Sequence, residues 1–419
     1  MPLAANTTKR LRQALLILAM IYAAGMIIYP SVRLHKGSSD FLAFHRTARH
    51  LIDTGRITTD YGVRNYLPFF VILMTPFALL PAWLACALFN LLSIALLALC
   101  LVMINTWLLP RHPGSLLLRI GVPTLMVLPL ITAALVLGQV ILLVLFLMIL
   151  GWTLFEQKRE LPAGVCFSLA ILIKAFPLIV LLFFLLKRRW SLLAGAVLAL
   201  LVFGMGTSLA VLGPQRTWSL HKDYFHRVVV GNSAPTAIAA PNHRTLRYNN
   251  QSLPVVLRRL LRHTNAARDT SQQAIYVNIA DLPPAIPQAI YLALAGAGLI
   301  GAAWIARKPI EQLPLQRLRF EFALFMLLAL ILSPLLWVRY LSLAIYPLCL
   351  LTVKLTDDRH AARPNRLGFA TWIIWIVALP LLACPWCRAA GVHLWATLLL
   401  ALAIAREALL ANTPTADSD

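Results

Sequence analysis

The sequence predicts an all-α polytopic membrane protein with about twelve transmembrane helices. Hydrophobic residues make up 60% of the 419-residue chain, charged residues make up 12%, and the mean hydropathy is +0.79. Several apolar runs approach or exceed the roughly 20 residues that a helix needs to cross a bilayer. The alternating segments of about 10 residues that form a membrane barrel are absent from the sequence, so helices are expected.

Basic residues in short loops favour the cytoplasmic side, and they set the expected orientation of the spans. Lys9, Arg10 and Arg12 precede the first span, which lacks a convincing cleavage site and is interpreted as uncleaved. We therefore expect a multi-pass protein of the plasma (inner) membrane with both termini in the cytoplasm. The predicted spans are 14–29, 82–109, 120–137, 140–155, 161–174, 176–186, 190–213, 286–306, 320–337, 340–353, 367–383 and 391–410.

The apolar stretch Leu67–Leu80 is not expected to be a thirteenth span. It has only 14 residues, and Pro68, Pro76 and Pro81 interrupt or bound it. Counting it as a crossing would also place every later basic loop on the wrong side. We interpret it as a re-entrant or interfacial piece that packs against the other helices.

The two longest non-membrane segments, 31–81 and 214–285, both fall on the predicted outer face. They divide the chain into an N-terminal module 1–213, a long outer loop 214–285 and C-terminal helices 286–419. Long ordered loops often carry function, so we expect the active face to be outside. The net charge of +22 is spread over loops on both faces, which makes nucleic acid a poor candidate as a partner.

The stretch that begins at Asp40 has the pattern of an amphipathic helix. Its apolar positions recur at helical spacing, a basic face lies opposite, and Ser38 or Ser39 is placed to cap its start. Asp40 falls in the first turn, where the helix dipole favours a carboxylate in any protein, so the position alone does not distinguish a structural aspartate from a catalytic base. The apolar positions are Phe41, Phe44, Ala48 and Leu51, and the opposite face carries His45, Arg46, Arg49 and His50.

Three polar residues near the outer ends of spans are candidate substrate ligands. Lys174 ends an apolar run, and a cation there is either a phosphate ligand or a lysine that reaches the interface. Gln139 follows Gly138 in a turn between spans, as a site residue or a polar helix cap. Arg339 is either an interfacial anchor, as expected for its neighbours Trp337 and Tyr340, or a second phosphate ligand.

A second amphipathic stretch follows Asn250 and Gln251 in the long loop. Leucines and valines lie on one side and basic residues, including Arg258, on the other. This pattern suits a helix on the outer leaflet whose guanidinium groups bind phosphate, or simply a solvated face.

The cysteines and the known cofactor motifs give little indication of chemistry. Cys86, Cys100, Cys166 and Cys349 lie in apolar spans and are expected to be small core residues. Cys384-Pro-Trp-Cys387 has redox-motif spacing, and a local disulfide stays open. The sequence contains no metal-ligand cluster and no glycine-rich phosphate loop, so we expect no cofactor.

In combination, these motifs resemble glycosyltransferase family 87, which belongs to the GT-C class of polyprenyl-phosphate-mannose-dependent mannosyltransferases. The resemblance runs from about Asp40 to Tyr340 and depends on the order of the pieces rather than on any single one. The pieces are Asp40-Phe41, Tyr61, Tyr66-Leu67-Pro68-Phe69, Pro76–Pro81, Gly138-Gln139, Ala163-Gly164, Lys174–Pro177, Arg188-Arg189-Trp190, Asn250–Leu253 and Ser333-Pro334 with Trp337.

Two positions depart from the family pattern. The family often has Tyr-Pro-Pro where this chain has Tyr66-Leu67-Pro68. It also often has a histidine just after the tryptophan of the Ser-Pro segment, where this chain has Val338 and Arg339. Arg339 would supply a similar charge with a different geometry.

The resemblance implies a GT-C-like bundle that moves a sugar, expected to be mannose, from a polyprenyl-phosphate donor to a lipid or glycan acceptor. Asp40 would act as base on the outer face, with inversion at the sugar. Expected substrate-binding residues are Tyr66, Gln139, Lys174, Asn250, Gln251, Arg258 and Arg339. The alternatives are an oligosaccharide ligase or polymerase and a multi-span lipid or solute transporter.

Overall fold

The computed structural model describes residues 2–34, 39–58, 63, 65–109, 115–231, 236, 238, 243–267, 273–357 and 365–411. Across these ranges the chain is helical and contains no β-sheet. The α-helices are α1 (Pro2–Arg33), α2 (Asp40–Thr54), α3 (Pro68–Leu73), α4 (Thr75–Ala78), α5 (Ala82–Met103), α6 (Val122–Leu137), α7 (Ile141–Glu156), α8 (Glu160–Ile173), α9 (Leu178–Leu186), α10 (Trp190–Ala199), α11 (Thr207–Leu212), α12 (Pro214–Tyr224), α13 (His243–Leu246), α14 (Leu253–Leu261), α15 (Ala285–Ile305), α16 (Leu315–Ile331), α17 (Ile345–Asp357), α18 (Arg366–Ala378), α19 (Pro385–Ala389) and α20 (Val392–Leu410).

Among the described residues, 8 helical segments are long and apolar enough to cross a bilayer. Several of them join an α-helix to a neighbouring π- or 3₁₀-helical turn. The predicted class of multi-pass helical membrane protein is therefore supported. The segments are Leu16–Arg33, Ala82–Leu108, Leu117–Leu137, Trp190–Leu212, Ala285–Ile305, Val338–Thr356, Arg366–Ala383 and Val392–Leu410.

Four predicted spans correspond to shorter helices, so the count of twelve is not confirmed. They are α7, α8, α9 and α16, with 16, 14, 9 and 17 residues. The chain breaks between α8 and α9 at 174–177, where Pro177 lacks the N–H that a continuous helix needs. Similarly, α16 ends at Ile331, short of the predicted 337, because Ser333-Pro334 follows.

The stretch Leu67–Leu80 forms two short helices rather than a crossing helix, as its prolines predicted. Pro68 begins α3 and Pro76 lies in the first turn of α4, positions where a missing N–H costs nothing. Phe70 and Met74 are buried, and both helices pack against α2. This pair of helices thus supports the helix that begins at Asp40.

The core of the bundle is aromatic and closely packed. α8 packs against α7 and α10, while α16 packs against α9 and α20. Trp152 stacks on Phe322 with ring centroids 4.2 Å apart. The four cysteines expected in the core, Cys86, Cys100, Cys166 and Cys349, are buried as predicted.

A cluster of buried charges joins α9 to α16. Lys187 Nζ lies 2.6 Å from Glu321 Oε2, and Arg317 Nε lies 2.7 Å from Glu321 Oε1. The side chains of Lys187 and Glu321 are 0% exposed. Burial lowers the pKa of Lys187, and the bond to Glu321 opposes that effect. One carboxylate therefore pairs with two buried basic side chains.

Candidate active site

Helix α2 places Asp40 at its first position and buries the apolar face that the sequence predicted. Phe41, Phe44, Ala48 and Leu51 are all buried. Ser39 is the residue before the helix, but its hydroxyl does not cap α2 as expected. The hydroxyl instead donates to the carbonyl oxygen of Leu137 at 3.3 Å, which ties the start of α2 to the end of α6. Ser38 and Tyr61 lie outside the described residues.

His45 departs from the predicted basic face of α2. It is buried, and its Nε2 lies 2.9 Å from the carbonyl oxygen of Leu80, so it fastens α2 to the end of the α3–α4 segment. Arg46 and Arg49 are exposed, as predicted. Contacts with α6 and with the α3–α4 segment therefore fix the orientation of α2, and with it the position of Asp40.

The carboxylate of Asp40 is held on one oxygen by two residues distant in sequence. Gln139 Nε2 and Arg339 Nη2 both donate to Oδ2, the latter at 3.1 Å. The described residues donate no hydrogen bond to Oδ1, and the Asp40 side chain is 41% exposed. The carboxylate thus has one anchored oxygen, Oδ2, and belongs to a side chain that is partly exposed.

Gly138 allows Gln139 and Asp40 to approach each other. It ends α6 with φ of +62°, a left-handed conformation that favours glycine. A Cβ at this position would also lie 2.4 Å from the Cβ of Phe41. Gln139 is 3% exposed and points to Asp40 from this turn.

Replacing Gly138 with alanine is expected to destabilise the protein by about 1–3 kcal/mol, because the left-handed backbone is strained for any other residue. The added methyl would also push Phe41 away and so displace the neighbouring Asp40. We therefore expect transferase activity to be lost even at temperatures where the variant is still folded. Thermal unfolding and a transfer assay on the same preparation measure the two effects. Gly296→Ala, in open space within α15, is the matched control and should change neither. Equal behaviour of the two variants would show that the close contact with Phe41 is unimportant.

Lys174 brings a second cation to the same site. It ends α8, and its Nζ lies 3.8 Å from the ring centroid of Tyr66 and 5.2 Å from that of Tyr340. No carboxylate pairs with it among the described residues. Arg339 also lies over Tyr340, at 5.5 Å, so the two cations share one aromatic neighbour.

Tyr66 forms the aromatic wall of the site. It stacks on Phe70 at 4.4 Å and meets Phe44 edge-on at 5.0 Å. Burial raises the pKa of Tyr66 well above 10, and the nearby Tyr340 and Asp40 raise it further. The phenol is therefore neutral at physiological pH and able to donate a hydrogen bond.

A shallow cleft borders Tyr66. Its polar lining comes from Thr58, Tyr224 and Arg227, and its apolar lining includes Leu220. Burial raises the pKa of Tyr224 to about 12, so this phenol is also neutral. Tyr66 thus links the two cations to a surface cleft rich in hydroxyl groups.

Asn250 and Gln251 are buried and hold the segment that carries Arg339. Asn250 Oδ1 accepts from the backbone N–H of Leu336 at 3.0 Å, and the Gln251 N–H donates to the Leu336 carbonyl at 2.6 Å. Both side chains are 0% exposed. The structure therefore does not place them beside Asp40 but behind the segment that supplies Arg339.

The basic side of α14 is not the free face that the sequence predicted. Arg259 is 0% exposed and donates to the carbonyl oxygens of Arg247 at 2.9 Å and Asn250 at 2.8 Å. Burial lowers its pKa to about 9, so it remains charged at neutral pH. Arg258 donates to the carbonyl oxygen of Ile238. These guanidinium groups donate to loop carbonyls, which offset part of the cost of removing the charges from water.

Sequence reasoning missed the role of Tyr340. It was expected to be an interfacial anchor, yet it is 4% exposed and its ring lies near both Lys174 and Arg339. The one indication of this role in the sequence was that Tyr340 directly follows Arg339, a candidate site residue. Elsewhere in the described chain, no three His, Cys, Asp or Glu side chains are grouped as metal ligands would be.

A family model, glycosyltransferase family 87, matches residues 65–334 of the sequence. This is most of the chain, and the match includes Tyr66, Gln139 and Lys174. The chain belongs to glycosyltransferase family 87. It is therefore a membrane glycosyltransferase that takes a sugar donor and an acceptor, which argues against the transporter alternative. No curated protein and no solved structure gave a significant match.

The boundaries of the family 87 match leave three site residues outside it. Asp40 precedes residue 65, and Arg339 and Tyr340 follow residue 334. Their assignment to the site therefore depends on the geometry. Asp40 accepts a hydrogen bond from Gln139 and one from Arg339, and the ring of Tyr340 lies against Lys174.

Proposed function

We propose that this family 87 enzyme transfers a single sugar, with mannose as the first candidate, from a polyprenyl-phosphate donor to a lipid or glycan acceptor. The observation that carries the proposal is the charge of the site. One carboxylate, Asp40, lies with two cations, Arg339 and Lys174, and only Arg339 is paired with it. The remaining positive charge suits a donor whose leaving group is a phosphate.

Asp40 is the proposed base. Its unbonded Oδ1 would accept the proton of an acceptor hydroxyl as the hydroxyl oxygen attacks the anomeric carbon of the donor sugar. The bond between that carbon and the phosphate oxygen breaks, and its electron pair leaves with the phosphate. Attack opposite the leaving group inverts the anomeric centre. The cleft beside Tyr66 offers hydroxyl groups to the acceptor.

Lys174 is the proposed ligand of the donor phosphate. Negative charge grows on the phosphate as the bond breaks, and a cation held near it without a carboxylate partner stabilises that charge. Arg339 has a different proposed role, which is to hold Oδ2 of Asp40 in place.

We also retain the predicted topology as part of this proposal. It has twelve spans, cytoplasmic termini, a site on the outer face and a three-part division of the chain at 213 and 285.

A donor panel tests the function. The purified protein, in phospholipid vesicles that include a membrane lipid extract as the source of acceptor, is given one of four radiolabelled donors: polyprenyl-phosphate mannose, polyprenyl-phosphate pentose, a nucleotide sugar or a lipid-pyrophosphate oligosaccharide. We expect label to move from a polyprenyl-phosphate donor to the acceptor. We expect no labelled acceptor when the nucleotide sugar is the donor. Transfer directly from the nucleotide sugar would overturn the proposal. Transfer only from a lipid-pyrophosphate oligosaccharide would favour the ligase alternative.

Replacing Lys174 with methionine is expected to raise the KM for the donor by about 10- to 100-fold, since a hydrogen bond to a charged group contributes about 1.5–3 kcal/mol. Methionine keeps an unbranched apolar side chain of similar length but removes the ammonium that lies over the ring of Tyr66. Initial rates at varied donor and varied acceptor separate the two KM values. Lys222→Met, an exposed lysine of α12, should leave both unchanged. Equal effects of Lys174→Met on donor and acceptor would count against the phosphate role.

A further inference from the structure

Two cysteines outside the proposed site form a close pair at the start of α19. Cys384 immediately precedes the helix, and the backbone N–H of Cys387 donates to Cys384 Sγ at 3.2 Å. Both side chains are partly exposed, whereas the other four cysteines are buried. The pair lies between the segments Arg366–Ala383 and Val392–Leu410, outside both.

The two thiols differ in acidity. Hydrogen bonds from the Cys387 thiol and the Cys387 backbone N–H lower the pKa of Cys384. The same thiol–thiol bond raises the pKa of Cys387. Cys384 is therefore the first to form a thiolate, which is the reactive species in thiol–disulfide exchange.

Arg388 connects this pair to the segment that carries Arg339. Its Nη1 donates to Asn249 Oδ1 at 2.6 Å, and its carbonyl oxygen accepts from Gln251 Nε2 at 2.8 Å. In turn, the Val338 N–H donates to the Asn249 carbonyl at 2.9 Å. One continuous set of hydrogen bonds thus runs from α19 through residues 249–251 to the residue before Arg339.

We propose that Cys384 and Cys387 are a redox-active dithiol that forms a reversible intramolecular disulfide, and that the disulfide rigidifies α19 and the residues held by Arg388. The oxidant is a disulfide compound. The Cys384 thiolate attacks one of its sulfurs and releases one thiolate, and the Cys387 thiolate then attacks Cys384 Sγ and releases the second. The two cysteines lose two electrons and two protons, and the oxidant gains them as two thiols.

The first test detects the disulfide without any activity assay. The purified full chain is equilibrated with varied ratios of oxidised to reduced dithiothreitol, free thiols are alkylated, and peptides are measured by mass spectrometry. We expect one two-electron transition on the peptide that carries Cys384 and Cys387, absent from Cys384→Ser and Cys387→Ser. Alkylation of both thiols at every ratio, or disulfides formed only between molecules, would overturn the proposal.

The second test measures the connection to the site. Amide hydrogen exchange at Gln251 and Val338 should be several-fold slower in the oxidised protein than in the reduced protein. The Cys384→Ser/Cys387→Ser variant should show no such difference. Exchange that does not respond to oxidation in the wild type would disprove the connection. Neither measurement uses sugar transfer, so the redox proposal can fail or succeed independently of the proposed function.

Discussion

Replacing Asp40 with asparagine is expected to lower the rate of sugar transfer by about 10²- to 10⁴-fold, the usual contribution of a positioned general base. The amide has nearly the same shape, but its side chain does not take up the acceptor proton at neutral pH. The loss should appear in kcat, with a smaller change in the KM for the donor, because the proposed phosphate ligand Lys174 is untouched. Steady-state transfer from a labelled donor measures both values.

Asp53→Asn is the matched control for this substitution. Asp53 lies on the same helix, its side chain is 50% exposed, and its partner Arg49 is equally accessible. A surface pair of this kind contributes little to stability, so this variant should transfer sugar at the wild-type rate. A wild-type kcat in the Asp40→Asn enzyme would show that Asp40 is not the general base.

Replacing Glu321 with glutamine should destabilise the protein by about 3–5 kcal/mol, more than the replacement of Gly138 with alanine. The substitution leaves Lys187 and Arg317 buried without an anionic partner, and an uncompensated buried charge is costly. Thermal unfolding in detergent, with and without denaturant, measures the effect.

Glu311→Gln provides the comparison, because Glu311 also pairs with a basic residue, Arg189, but is 71% exposed. Its loss should change the free energy of unfolding by no more than about 1 kcal/mol. Similar unfolding temperatures for the two glutamine variants would mean that water reaches the Lys187–Glu321 pair.

Local signals in the sequence predicted much of the framework around the site. The spacing of Phe41, Phe44 and Leu51 predicted α2, and the prolines predicted the broken stretch Leu67–Leu80. The bounds of the predicted spans also placed breaks after 137 and after 174, where the structure has them. These features follow from backbone preferences of a few adjacent residues, which a sequence displays directly.

Long-range contacts explain what sequence reasoning missed. The periodicity of α14 shows which residues share a face, but not that Arg259 meets the carbonyls of Arg247 and Asn250. Nothing local to Asn250 indicates that it bonds to Leu336, which is 86 positions away. The number of spans is hard to count from hydropathy for a related reason, since nearly every residue of α16 is buried and an apolar run is expected both for a buried helix and for a span.

The pairing of Asp40 with Arg339 joins residues 299 positions apart. A nascent chain therefore inserts most of its helices before this pair forms, because contacts at such separation form only after the intervening chain has been placed. A truncated or partly inserted protein would hold Asp40 without Arg339 to orient it. Under the proposed mechanism, such a protein is not expected to transfer sugar, and activity would arise only once biogenesis is nearly complete.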